Sequence, residues 1–158
     1  MEFDIRQSTG HLMVHVMKLH RHTFHKLTEE YDIFPGQPPL LFRLHEKDGQ
    51  SQKELAESMR VKPATLTVMI NRMVKNGHVV RRPDPVDQRV SRVFLTDRGR
   101  SVMDSVREAL ALLEEISFRS FSAEDKQLFH RQLQQMAKDL SGFDAGRHPE
   151  GGSTTEME

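Results

Sequence analysis

The sequence predicts a mainly α-helical fold with a small β wing, in which a winged helix-turn-helix is joined to a helical dimerisation region. Two short amphipathic helices separated by a tight turn occupy the middle of the chain, and two β-rich runs follow them directly. Longer amphipathic stretches lie on both sides of this segment. A module this small cannot bury all of those outer apolar faces, which favours a helical interface between two copies of the chain.

The composition is that of an ordinary soluble chain. Its 158 residues fit one domain, with 36% hydrophobic and 29% charged residues. The lack of cysteine excludes disulfides, thiolate metal sites and thiol switches. No apolar run approaches the length of a membrane span, and the acidic start MEFD does not open a signal peptide. A cytoplasmic location without membrane contact is therefore expected.

Residues 8–31 are predicted to form a first long helix. Its apolar stripe consists of Leu12, Val16, Leu19, Thr23 and Leu27. Its opposite face carries His11, His15, Lys18, His22 and His25. This histidine face is interpreted as a solvated or dimer-contact surface, with a metal or ligand site and a pH-sensitive role as alternatives. Because Lys18 interrupts the face and four histidines span too far for one ion, a metal site would need a partner helix.

The central helices follow a short helix that begins at Pro38–Pro39, ends at Asp48–Gly49 and is expected to pack its leucines beneath them. Ser51 and Glu54 have the spacing of a capping box, which starts the first central helix. After a turn over residues 60–62, the second central helix runs from Pro63 to Asn76. Its predicted buried stripe is Leu66, Met69, Ile70 and Met73.

The opposite face of this second helix has short or polar side chains near its start and basic ones near its end. They are Ala64, Thr65, Thr67, Val68, Asn71, Arg72 and Lys75. Small side chains let a helix enter the major groove of DNA, where Thr, Asn and Arg reach base edges or phosphates. The alternative interpretation is an ordinary amphipathic surface helix.

A β wing is predicted after Gly77, which suits the residue that follows a helix. The runs His78–Arg82 and Val90–Leu95 are rich in β-formers, and the loop PDPVDQR between them is rich in turn-formers. Arg89 at the tip can enter the minor groove, and Asp87 can hold its guanidinium in place. A solvated hairpin tip is the alternative.

Two further amphipathic helices are predicted beyond the wing. Thr96 caps a helix from about Asp97 to Phe118, and Ser122 with Asp125 caps a last helix that ends near Leu140. The predicted organisation is a helical dimerisation region over residues 1–34 and 97–141, a winged helix-turn-helix over residues 35–96, and a polar, Gly-rich disordered tail over residues 142–158.

The neutral overall charge conceals a basic module. Residues 51–100 contain 11 Lys and Arg against 5 Asp and Glu, whereas the rest of the chain contains 12 against 18. A local excess of positive charge on the helix pair and hairpin is what phosphate binding requires.

Three stretches, PATLTVMINRMVKNG, HVVRRPDPVDQR and VFLTDRG, resemble the MarR family of bacterial transcription regulators. The resemblance covers residues 8–141 and implies a homodimer with a winged helix-turn-helix in each subunit. It places the recognition helix at Pro63–Asn76, the wing at Val79–Leu95 and the family's Asp-x-Arg pair at Asp87 and Arg89. Two positions depart from the family pattern: Asn71 precedes Arg72 where an Asp-Arg pair is common, and Gln88 stands where an arginine is frequent.

The expected function is a homodimeric regulator, more a repressor than an activator, that binds a pseudo-palindromic duplex with half-sites about 34 Å apart. Base contacts are expected from Thr65, Thr67, Val68 and Asn71, and Ala64 is counted among the DNA-binding residues of the same face. Lys62, Arg72, Lys75 and Arg82 are expected to contact phosphates or to brace the fold, and wing contacts are expected from Gln88 and Arg89. The resemblance also implies a small-molecule effector site, with Phe24, Tyr31, Arg43 and His45 as candidate lining residues, and no cofactor.

Other functional classes have less support in the sequence. An enzyme is disfavoured because there is no cysteine nucleophile, no glycine-rich phosphate loop and no HExxH motif. A protein-interaction module on the same scaffold remains an alternative, although the basic module argues against it. A metal-responsive regulator that uses the histidines of the first helix is a variant of the main hypothesis.

Overall fold

The computed structural model describes residues 4–143, which form two compact units, residues 4–117 and residues 118–143. No helix in this described range is long and apolar enough to span a bilayer. The helices are α1 Thr9–Thr28, α2 Pro38–Glu46, α3 Gln52–Met59, α4 Pro63–Lys75, α5 Asp97–Ser101, α6 Met103–Phe118 and α7 Ala123–Ser141. The strands are β1 Gln50–Ser51, β2 Val79–Pro83 and β3 Ser91–Leu95. The predicted mainly α fold with a β wing is confirmed.

Helix α1 begins at a serine cap and ends earlier than predicted. The Ser8 hydroxyl accepts the backbone N–H of His11 at 3.0 Å. At the other end, the Thr28 hydroxyl lies 2.9 Å from the carbonyl oxygen of Phe24 and 2.7 Å from that of Ile33. Because this side chain ties the chain back on itself, the helix stops at Thr28 and a 3₁₀ turn covers residues 29–31. The predicted single helix over residues 8–31 is therefore wrong in its last turn.

The predicted apolar stripe of α1 is only partly buried within one chain. Leu12 is 59% exposed and Leu19 is 54% exposed, whereas Phe24 near the end of the helix is buried. The unit thus covers only the C-terminal part of α1. An apolar surface of this kind on consecutive helical turns is typical of an interaction site.

The core of the first unit lies under α3 and α4, as the sequence predicts. Leucines from α2 and α3 pack with the buried stripe of α4 and the inner face of the sheet. The fully buried members from these elements are Leu40, Leu41, Leu44, Leu55, Leu66, Ile70, Met73 and Val93. This arrangement fixes the position of α4 and leaves its opposite face outside the core.

The sheet has three antiparallel strands in the order β1-β3-β2. Val79 pairs with Leu95 and Arg82 with Arg92, so the hairpin predicted from the sequence is confirmed, with strands displaced by one residue. Strand β1, which pairs Gln50 with Val93, was not predicted. A two-residue strand is too short to produce a periodic signal.

The helix predicted from Asp97 to Phe118 is wrong as a single element, because it is interrupted at Val102 between α5 and α6. Thr96 caps α5 as predicted, accepting the N–H of Gly99 at 3.0 Å. A Cβ at Gly99 would overlap the carbonyl oxygen of His78. Helix α5 therefore packs directly against the backbone at the start of β2, which only glycine permits at this position.

The second unit consists of the last residue of α6, a turn and α7. The Ser122 hydroxyl accepts the N–H of Asp125 at 3.1 Å, so the predicted cap is confirmed, and α7 extends to Ser141. Phe118, Phe121 and Phe129 form an aromatic cluster with centroid distances of 5.3–5.9 Å. Of the predicted tail, residues 144–158 lie outside the described residues.

His78 is a fully buried imidazole at the junction of α4 and β2. Neither ring nitrogen has a hydrogen-bonding partner of normal geometry among residues 4–143. Burial is the main cause that lowers the pKa of His78, and the nearby Tyr31 backbone opposes it. The folded state therefore favours the neutral imidazole.

This burial makes stability depend on pH. Because the unfolded chain takes up a proton that the folded chain disfavours, the free energy of unfolding should fall as pH drops below about 6.5, by at most about 1.4 kcal/mol per pH unit for this group. His78→Leu, which cannot be protonated, should show a shallower loss between pH 8 and pH 5.5 in urea titrations. The exposed His22→Gln is the control and should follow the wild type; an equal pH slope in all three proteins would contradict the assignment.

Candidate nucleic-acid interface

Helices α3 and α4 are positioned by the capping box and turn that the sequence predicts. The Glu54 carboxylate accepts the N–H of Ser51 at 2.7 Å, and the Ser51 hydroxyl accepts the N–H of Glu54 at 3.2 Å. The backbone N–H of Ser51 and, after it, the Ser51 hydroxyl stabilise the ionised carboxylate and so lower the pKa of Glu54. Arg60 ends α3 in the left-handed region, at φ 53°, and Pro63 begins α4. The two helices therefore meet at a fixed turn.

The predicted outer face of α4 lies at the surface. Ala64, Thr65, Asn71 and Lys75 are exposed, and Val68 is 66% exposed. An exposed apolar side chain at the centre of such a helix can contact a thymine methyl group in the major groove. Small polar and apolar side chains thus occupy the half of α4 that could approach base edges.

Thr67 differs from its neighbours because its hydroxyl is already engaged. It donates to the Pro63 carbonyl at 2.9 Å and accepts from the Gln52 amide at 3.2 Å. The side chain is only partly exposed. Thr67 therefore joins the start of α4 to the start of α3, a structural contact that the sequence analysis did not anticipate.

Asp84 organises the wing. Its carboxylate accepts the backbone N–H groups of Val86 and Asp87 at 2.8 and 2.9 Å, and it pairs with the Arg92 guanidinium on the opposite strand. The hydrogen bond from Asp87, then that from Arg92, lowers the pKa of Asp84 to about 2. Arg92 also reaches Glu54 at 3.6 Å, so the wing is tied to the capping box of α3.

The predicted wing pair makes a different contact from the one expected. The Asp87 carboxylate accepts the backbone N–H of Arg89 at 3.0 Å, and none of the ion pairs within residues 4–143 involves the Arg89 guanidinium. Gln88 and Arg89 are exposed, and Val86 at the tip is 95% exposed. Asp87 thus shapes the tip backbone and leaves the arginine head group available.

Two carboxylates missed by the sequence analysis attach this surface to its support. Asp48 accepts the N–H of Leu95 at 2.9 Å and pairs with Arg100 at 2.7 Å. Asp32 pairs with Arg98 at 2.7 Å. In the sequence, Asp48–Gly49 indicates only the end of a helix, and a single aspartate such as Asp32 forms no recognisable pattern.

Eight of the eleven basic residues in residues 51–100 form two groups. Arg92, Arg98 and Arg100 pair with carboxylates at the positions described above. The residues predicted to contact DNA are exposed and make no ion pair with any carboxylate in the described part of the chain. They are Lys62, Arg72, Lys75, Arg82 and Arg89. Positive charge without a protein counter-ion is suited to binding an external polyanion.

The candidate effector residues are not assembled into one polar group. Phe24 belongs to the core and Tyr31 packs against it. Arg43 and His45 are exposed on α2, and Arg43 lies 3.8 Å from Glu46. Core packing accounts for the aromatic members.

The histidine face of α1 does not form a metal site within one chain. His11, His15 and His22 are exposed, whereas His25 is half-buried and stacks on Phe34. Across residues 4–143, no cluster of three or more histidine, aspartate or glutamate side chains is arranged to hold a metal ion. His25 therefore differs from the other three histidines of this face because it is half-buried and stacked on an aromatic ring.

Comparison with known proteins agrees with this geometry. A model of the MarR family matches residues 35–91. An uncharacterised HTH-type transcriptional regulator of Bacillus subtilis, YsmB, is 28% identical over 137 residues, which cover 87% of this chain and 91% of that protein. The transcriptional repressor CouR, whose structure was solved bound to a 23-mer DNA duplex, matches with a TM-score of 0.72 at 19% sequence identity. The match covers 87% of this chain and 99% of the CouR chain.

A second solved structure shares the fold. The PcaV transcriptional regulator from Streptomyces coelicolor, solved in complex with its natural ligand, has a TM-score of 0.76 at 21% identity. The match covers 89% of this chain and 99% of that one. At this level of identity the two structural likenesses establish the fold.

Replacing Asp84 should loosen the wing. In Asp84→Asn the ion pair with Arg92 is lost and the two tip N–H groups bond to a neutral oxygen, so amide exchange at residues 86–92 should accelerate and the thermal midpoint should fall. Because the pKa of Asp84 is about 2, its contribution is present above about pH 4 and lost only as pH falls toward 2. The difference should thus be the same at pH 5 and pH 8.

Asp104→Asn provides the matched control for this experiment. The Asp104 side chain is 88% exposed and contacts Arg107 one turn along α6. Its replacement should leave wing exchange unchanged. Wild-type exchange rates in the wing of Asp84→Asn would show that the carboxylate does not order the tip.

Proposed function

We propose that the chain is a MarR-type transcriptional regulator, a homodimeric, effector-responsive repressor that binds a pseudo-palindromic operator. The observation that carries this proposal is the set of unpaired cations on α4 and the wing. Arg92, Arg98 and Arg100, which lie in the same stretch of residues 51–100, pair with carboxylates. Arg72 on α4 and Arg82 and Arg89 in the wing have no carboxylate partner within residues 4–143. Such a division is expected of a surface that binds phosphate.

Helix α4 is the proposed recognition helix. Thr65, Val68 and Asn71 are exposed along one face and can reach base edges, and Ala64 lets the start of the helix approach the groove closely. Lys62 and Lys75 lie at opposite ends of α4, where they can contact phosphates on either side of the groove. Thr67 contributes through its contact with α3 rather than as a free hydroxyl.

The wing is proposed to place Arg89 in the minor groove. Its strands are held by Asp84 and Arg92, and its tip backbone is shaped by Asp87, so little order has to be gained on binding. Gln88 and Arg82 would add polar and phosphate contacts. The negative potential of a narrow minor groove favours an arginine at this position.

Dimerisation is proposed to involve the helical residues on both sides of the winged helix-turn-helix, residues 1–34 and 97–141. In α1 the exposed apolar residues are Leu12, Val14, Val16, Met17 and Leu19. In α7 they are Leu128, Phe129, Leu133 and Leu140. Each surface is apolar over successive turns, which is costly in water and supports burial against a second chain.

Effector control is proposed by analogy with the family and with the ligand complex of PcaV. A ligand can change DNA affinity only if it binds two states of the dimer with different affinity. The polar candidates for lining an effector site are Tyr31, in the turn after α1, and Arg43 on α2. Phe24 on α1 and His45 on α2 are the other two candidates. The protein would act in the cytoplasm by binding and not by catalysis.

Removing the wing arginine should weaken binding to all DNA sequences. Arg89→Ala removes one cation that would lie close to the DNA phosphates. The slope of the logarithm of the binding constant against the logarithm of the salt concentration should therefore decrease in magnitude by about one unit. Fluorescence anisotropy with a selected operator and a random duplex at several salt concentrations measures both effects. Arg6→Ala, an exposed arginine outside the winged helix-turn-helix, is the control. An unchanged affinity and slope for Arg89→Ala would refute the wing assignment.

Charges introduced into the apolar surface of α1 should prevent dimerisation. Wild-type protein should sediment at twice the mass of one chain, whereas Leu12→Glu/Leu19→Glu should shift toward the monomer because it would bury carboxylates in the interface. Val86→Glu makes the same type of change at an exposed apolar residue of the wing and should remain dimeric. A monomeric wild type would contradict the proposed interface.

A further inference from the structure

Phe34, in the segment between α1 and α2, connects those helices to α4 through its aromatic ring. The Arg72 guanidinium carbon lies 4.6 Å from the centroid of the Phe34 ring. The His25 imidazole of α1 stacks on the same ring, with centroids 5.2 Å apart and an interplanar angle of 25°. One ring therefore contacts a side chain of α1 and a cation of α4.

The backbone around Phe34 is held on both sides. The Phe34 N–H donates to the Gln37 side-chain oxygen at 2.8 Å, and the Gln37 N–H donates to the Phe34 carbonyl at 3.0 Å. On the other side, Ile33 is buried and its carbonyl lies 2.7 Å from the Thr28 hydroxyl. Since these contacts fix the segment, they also fix the position of the ring.

The Arg72 guanidinium lies over no second aromatic ring within residues 4–143. It is exposed, and within residues 4–143 no carboxylate forms an ion pair with it. A free arginine loses considerable rotamer entropy when it binds, and an aromatic face that restricts it beforehand reduces that loss. A guanidinium stacked on a ring still presents N–H donors at its edge.

We propose that Phe34 is a positioning residue for DNA binding, which holds the Arg72 guanidinium of the recognition helix in the conformation that contacts the DNA backbone. His25 supports the ring from α1. The inference rests on the proposed function, because it assigns Phe34 a role in the binding of DNA by α4. Phe34 itself does not touch the DNA.

A positioning role predicts coupling between Phe34 and Arg72 in DNA affinity. Phe34→Leu keeps an apolar side chain but removes the ring, and it should weaken DNA binding about threefold, the value of a partly exposed cation–π contact. In the Arg72→Ala background the same change should have almost no effect, because the group that the ring positions is gone. Phe34→Tyr should retain wild-type affinity.

Phe42→Leu is the matched control. Phe42 is also half-buried and lies under a guanidinium, with the Arg107 carbon 5.6 Å from its centroid, but Arg107 belongs to α6. Its replacement should not couple to Arg72. Thermal unfolding of every variant shows whether it is folded at the temperature of the binding assay.

Nuclear magnetic resonance of the free protein tests the contact without DNA. The Arg72 side-chain N–H signal should carry a ring-current shift in the wild type and in Phe34→Tyr, and should lose it in Phe34→Leu. Loss of that shift together with coupled affinities would support the proposal. An unchanged signal in Phe34→Leu would overturn it.

The binding outcomes separate this inference from the function on which it rests. If the wild type binds DNA and Arg72→Ala weakens it, but Phe34→Leu has equal effects with and without Arg72, Phe34 acts only in packing and the inference fails alone. If the wild type shows no salt-dependent binding to any duplex, the proposed function fails and the inference falls with it.

Discussion

Thr96 joins the ends of three elements at one point in the first unit. Its hydroxyl lies 2.6 Å from the carbonyl oxygen of Gly77, which follows α4, and accepts the N–H of Gly99 in α5. Its own N–H donates to the carbonyl of His78 at the start of β2. Gly99 packs closely against the same His78 carbonyl, where a Cβ would overlap it. Since the hydrogen bonds of Thr96 join α4, the wing and α5, these elements cannot separate without breaking several of them. The orientation of α4 relative to the wing depends on this junction.

The distribution of charge follows from the same need for a rigid support and an open binding surface. Arg92 and Arg100 pair with Asp84 and Asp48, and each of these carboxylates also accepts a backbone N–H group. Such charge-assisted hydrogen bonds order a loop more effectively than an exposed ion pair would. The exposed cations Arg72 and Lys75 of α4 and Arg89 of the wing have no carboxylate partner within residues 4–143, so their charge is available to an external anion. Cations without a carboxylate partner are thus found on α4 and the wing, the surface proposed to bind DNA.

Strong local patterns made most of the first unit predictable. The capping box at Ser51, Pro63 at the start of α4 and the buried stripe from Leu66 each depend on residues a few positions apart, and each is confirmed. The contacts that the sequence does not predict join residues far apart in the chain. Asp84 pairs with Arg92 across the hairpin, and Phe34, which precedes α2, contacts Arg72 of α4. No periodicity records which distant side chain a given residue will meet. The sequence predicts an apolar stripe along α1, but one chain alone does not bury the N-terminal half of that stripe.

Helix α4 is held differently at its two ends, which bears on how regulation could reach it. Gln52 of α3 holds the first turn through Thr67, and these two helices share the core of the module. The last turn instead contacts the segment after α1: Arg72 lies over Phe34, and the Asn76 amide donates to the carbonyl of Asp32 at 3.1 Å. The segment at residues 29–37 therefore contacts the C-terminal end of α4 directly, whereas the N-terminal end of α4 is joined to α3. Coupling between two sites requires contacts that differ between two states, and under the proposed function the contacts of Phe34 and Asp32 with α4 are the ones that an effector would have to change.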